Sequence, residues 1–91
     1  MSEAKKTTDH DVIRQWAEER NGTPASVKGT RSGDAVGLLR IDFAENGKDD
    51  RLEAITWAEF FDKFEEKNLA LLYQDVKADG EQSTFNKFIA R

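Results

Sequence analysis

The chain predicts an α+β domain, with two helices packed on one face of a small antiparallel sheet. Three observations predict it. Residues 55–73 carry an aromatic stripe at helical spacing, and an uncharged apolar run follows directly. Residues 12–17 repeat the helical spacing on a smaller scale. Residues 39–43 alternate apolar and charged, as a half-buried strand does. One sheet is the simplest partner for both helical stripes. The expected order is helix, short strand, hairpin, helix, hairpin, or α-(β)-β-β-α-β-β.

Residues 1–8 are polar and expected to form a flexible N-terminus, leaving residues 9–91 as a single domain. Thr8 or Asp9 should begin the first helix, with Asp9 and Asp11 at the positive end of its dipole. Val12, Ile13, Trp16 and Ala17 share one face. Arg20 projects from that face one turn later. Its stem can cover apolar surface while the guanidinium reaches water or stacks on Trp16; the sharper alternative is a cation aimed into a pocket. Asn21-Gly22 stops the helix and Pro24 bars its resumption.

Residues 25–28 are expected as a short strand and the rest of 22–33 as loop. Residues 36–43 then place Leu39, Ile41 and Phe43 on one side and Arg40 and Asp42 on the other. A polar turn centred on Asn46-Gly47 should join this strand to residues 52–55 as an antiparallel hairpin. Thr56 and Glu59 have the spacing of a capping box. Behind it, Trp57, Phe60, Phe61 and Phe64 fall within an arc of about 100° and are expected as core. Glu59 precedes Lys63 in the favourable order for an ion pair, and Asn68 can end the helix. Residues 69–74 read as a buried strand. Residues 83–89 read as a strand pairing with it, with a short terminal helix as the alternative. Strict alternation there would bury Phe85 and Ile89 and expose Phe88.

Composition narrows function. Ninety-one residues make one domain, far short of the about 250 residues typical of an eightfold barrel enzyme. A net charge of −4 argues against duplex nucleic acid and anionic membrane as partners. The absence of cysteine excludes disulfides and thiolate metal sites. Without an apolar leader or a long apolar stretch, the expected location is cytoplasmic, with no membrane association.

Several patterns bear on chemistry. Asp42, Asn46, Gly47, Asp50 and Glu53 match the ligand spacing of a calcium loop, but Ala44 stands where a further oxygen is needed. The flanks also read as strands, so a solvated hairpin turn is expected. His10 is the only histidine, with no sequence partner for base catalysis or metal binding. No serine or threonine has a recognisable nucleophile setting. No catalytic residue, metal site or cofactor is therefore expected. The loop at residues 28–33 carries two cations and no acid, and its backbone amides could cradle an anion. Lys28, Arg31 and Arg40, with Arg20, are the anion-binding candidates.

Residues 9–30, 37–43 and 55–74 resemble a family of small uncharacterised bacterial proteins. The recurring pieces are Arg14 with Trp16-Ala17-Glu18-Glu19-Arg20, then Leu39-Arg40-Ile41-Asp42-Phe43, then Trp57 with Phe60-Phe61. Some members carry the label of a glucan-branching enzyme, an activity of much larger barrel proteins whose catalytic site has no counterpart here. The resemblance implies a bacterial, cytoplasmic protein and adds no mechanism. Three readings follow: a non-enzymatic module that binds another protein or its own copy, a binder of an anionic ligand or nucleic acid through the cations above, and an accessory of carbohydrate metabolism.

Overall fold

A computed structural model describes residues 3–33 and 35–91. Asp9 caps the first helix, its side chain accepting from the amides of Asp11 and Val12, and α1 runs His10–Glu18. Asn21 takes the left-handed conformation that turns the chain out of the helix. The second helix, α2, spans Trp57–Glu66 and begins with the complete Thr56–Glu59 capping box. With Glu59 held there, Lys63 pairs instead with Glu66, at 3.6 Å.

Strands β1 (Ala4–Thr7), β2 (Gly22–Val27), β3 (Leu39–Phe43), β4 (Leu52–Ala54), β5 (Leu69–Gln74) and β6 (Asn86–Ala90) complete the α+β fold. They form two three-stranded antiparallel sheets, β1-β5-β6 and β3-β2-β4, where a single sheet was expected.

The expected flexible N-terminus is corrected over residues 4–7. These form β1, an edge strand paired from Ala4↔Gln74 to Thr7↔Leu71; Met1 and Ser2 lie outside the described residues. Lys5 anchors this strand on Asp75 at 2.5 Å. Lysine-rich edge strands read as tails by composition, although lysine is well suited to an exposed edge.

The expected β3–β4 hairpin is also corrected. β2 lies between the two strands and pairs with both. The short strand expected at residues 25–28 is the second half of β2; its Gly-Thr-Pro-Ala-Ser-Val sequence, made of small residues without a period, hides where the strand starts and that it is central. Those residues are what a crowded centre needs. A Cβ on Gly22 would lie 2.8 Å from Ile41 Cγ2 and 3.0 Å from the Ala17 carbonyl oxygen. Pro24 offers no amide to β4, but its carbonyl accepts from Ile55 at 3.2 Å, just where β4 ends and the chain leaves for α2.

Both helical stripes meet one core. Ile13, Trp16, Phe60 and Phe64 pack with Leu39, Ile41 and Phe43 of one sheet and Leu71 of the other. β6 is a strand paired with β5, but with inverted sides: Phe88 turns inward onto Phe60 and Phe64, while Phe85 is 47% exposed. The pairing of Phe88 with Leu71, itself fully buried, fixes this orientation.

Candidate functional site: a groove between two strand edges

The two sheets stop short of each other. Val27 N–H donates to the Leu38 carbonyl (2.9 Å) and Ala44 N–H to that of Asn21 (3.1 Å), so the even residues of β3 turn their backbone groups towards β2. Leu39, Ile41 and Phe43 therefore turn theirs to the free edge. In β6, Gln74 N–H donates to the Phe85 carbonyl (3.3 Å) and Arg91 N–H to that of Asn68 (3.0 Å). Asn86, Phe88 and Ala90 consequently direct amides and carbonyls away from β5. Among the described residues, neither edge has a second strand.

A groove of about 610 Å³ opens between these edges, within the usual range of binding sites. Leu39, Leu69 and Phe88 give it apolar surface, Lys63 and Lys67 stand at the end of α2, and Thr30, Ser32, Val36, Gly37 and Leu38 form a wall. A smaller hollow of about 310 Å³, bounded by Arg40, Asn86, Lys87 and Phe88, shares Arg40 and Phe88 with it. Among the described residues lining both, there are four cations (Arg40, Lys63, Lys67 and Lys87) and no acid. On a chain of net charge −4, this is a local reversal of sign.

Thr30 braces the described part of the groove wall. Thr30 Oγ1 donates to the Val27 carbonyl at 2.5 Å and accepts from Leu38 N–H at 2.9 Å. Gly37 lies against Thr30 so closely that a Cβ would fall 1.9 Å from that hydroxyl.

The sequence-derived cations have different placements. Arg40 lines the groove and donates to the Leu39 carbonyl at 2.8 Å. Arg31 Nε donates to Glu53 at 2.7 Å. Lys28 is exposed at the end of β2, where its amide donates to the Arg51 carbonyl. Arg20 is only 6% exposed. Its guanidinium donates to the carbonyls of Ser83 (2.5 Å), Trp16 (2.9 Å) and Asp75 (2.9 Å) and lies 4.5 Å from the Trp16 ring centroid. Burial pulls its pKa down, opposed by Asp75 and Glu19. It ties α1 to the loop between β5 and β6.

Sequence reasoning missed Lys63, Lys67 and Lys87 as site residues. Helical spacing sets Lys63 opposite the aromatic stripe, and only the tertiary fold brings that helix end beside β6 and Arg40. His10, without a partner in the sequence pattern, gains one in the fold: its Nε2 lies 2.8 Å from Glu65 and its ring stacks on Phe61 at 4.1 Å. Arg91 also donates to Glu65, and hydrogen bonds from Arg91 first and His10 second hold that carboxyl below its ordinary range. This cluster joins the start of α1, the end of α2 and the C-terminal residue.

Among the described residues, no helix is long and apolar enough to cross a membrane. No family model, curated protein or solved structure matches the chain.

Proposed function

We propose that this chain is a protein-interaction module that receives its partner in the groove between β3 and β6. The observation that carries this reading is the pair of strand edges bordering one partly apolar groove, each with backbone groups that meet no neighbouring strand among the described residues. Strand edges bind extended peptides through main-chain hydrogen bonds, while alternate side-chain sites supply selectivity. The resemblance to small bacterial proteins supports a bacterial cytoplasmic setting. A second reading, an anionic small ligand, draws on the four groove cations but leaves the paired edges without a role.

The test is selection from a random peptide display library, in parallel on the wild type and on Leu38→Trp. Leu38 is 57% exposed on the groove wall, so a larger side chain there obstructs the groove without entering the core. Peptides enriched on the wild type and lost on the variant support the module. Failure to enrich any groove-dependent peptide contradicts it.

A further inference from the structure

We infer that the groove's partner is an extended acidic peptide segment, added as a strand along the outer edge of β6. This rests on the reading of the groove as a protein-binding surface, and it specifies both the chemistry and the register of the occupant.

The choice of edge follows from backbone chemistry. On β3, the Leu39 carbonyl is already engaged by the Arg40 side chain. On β6, the outward groups of Asn86, Phe88 and Ala90 meet no backbone partner among the described residues, and Phe88 borders both the groove and the smaller hollow. A strand laid beside β6 would hydrogen-bond at these alternate residues.

The charge of the occupant follows from the cations. A strand presents successive side chains to opposite faces. On the helix side, an inserted strand would meet Lys63 and Lys67 from α2. On the other side it would meet Lys87 and Arg40, which point away from the core. Cations therefore stand on both faces of the same path. Lys63 has one carboxylate nearby, Glu66 at 3.6 Å, outside the lining of the groove. On a chain of net charge −4, this gathering of cations favours an acidic occupant at the groove. Apolar residues of the peptide would lie against Leu39, Leu69 and Phe88.

The experiment is a titration of the uniformly ¹⁵N-labelled chain, followed by amide shifts. The probes are a short N-acetylated peptide alternating valine and glutamate, its lysine counterpart, and the acidic peptide N-methylated at alternate amides in either phase. The acidic peptide should shift the amides of Asn86, Phe88 and Ala90, and the lysine peptide should not. One methylation phase should weaken binding by at least about tenfold and the other much less, because only one phase removes donors to β6. Arg40→Glu and Lys67→Glu, both at exposed positions, should each lower affinity about tenfold. Equal shifts from the acidic and basic peptides would overturn the charge assignment while leaving the groove as a binding site. Shifts centred on β1, equal effects of the two methylation phases, or no shift at all would overturn the strand-addition proposal; the display selection would then judge the groove itself.

Discussion

Arg20 and the groove cations put the same kind of charge in opposite situations. Arg20 sits over an aromatic ring, is nearly buried, and has its guanidinium distributed over three backbone carbonyls. Arg40, Lys67 and Lys87 are exposed on the walls of a groove whose described lining contains no carboxylate. A cation answered by fixed acceptors inside the fold is part of its construction. Cations gathered around two strand edges, with no acid among the described lining residues, are available to a partner. The two regions should therefore respond oppositely to substitution: one should lose stability and the other should lose binding.

The largest expected effect is at Arg20. Arg20→Met keeps much of the stem but takes the guanidinium from the buried Ser83 and Trp16 carbonyls, while that of Asp75 keeps Ser83 N–H, and it should cost about 3 kcal/mol in denaturant unfolding. The same change at Arg40 should alter stability by less than about 0.5 kcal/mol while weakening acidic-peptide binding. Similar losses of stability at the two positions would break the comparison.

Gly37→Ala comes next. Its Cβ would collide with Thr30, so the loop wall must move, at a cost of about 1–3 kcal/mol. It should also reduce peptide affinity, linking the shape of the wall to the groove's function. A binding curve unchanged from wild type would separate the two.

Thr56→Ala removes the acceptor for Glu59 N–H and should cost about 1 kcal/mol without changing affinity. This isolates stability from binding at the opposite end of α2 from the groove lysines.

The smallest effect is on acid sensitivity. Hydrogen bonding to Thr56 N–H holds the Glu59 carboxyl below its ordinary pKa of 4.5, and Arg91 with His10 does the same to Glu65. A depressed carboxyl pKa means that the unfolded chain takes up protons first as pH falls. The stabilisation is thus present above about pH 4.5 and lost on acidification through the lower folded values. Glu59→Gln preserves the capping geometry, and unfolding midpoints measured across this window should fall less steeply with acid than in wild type. An unchanged slope would deny Glu59 this role.

The elements readable from sequence were those with a strong period or a cap. The aromatic stripe of α2, the capping box and the α1 cap at Asp9 are local features, and local chemistry specifies them. β3 was visible through its alternation. β1 and β2 were harder to read: Ala-Lys-Lys-Thr has too little apolar surface, and Gly-Thr-Pro-Ala-Ser-Val has no large residue. Their strand character comes from long-range partners, with β5 recruiting β1 and β2 being enclosed by two neighbours. Missing β2 as the central strand led directly to the wrong hairpin. Phe88 was misassigned because alternation gives two faces but does not say which is buried; the register with Leu71 decides it. The groove was illegible for the same reason. Arg40, Lys63 and Phe88 are distant in sequence, and only the gap between two sheets makes them one surface.

Hydrogen exchange at β6 tests the central claim most directly. In the free chain, the amides of Asn86, Phe88 and Ala90 should exchange faster than those of Lys87 and Ile89, which face β5. Saturation with the acidic valine–glutamate peptide should slow exchange at alternate outward-facing amides, including Phe88, while β1 remains unchanged. Continued fast exchange at Phe88 in the saturated chain would contradict strand addition in the groove.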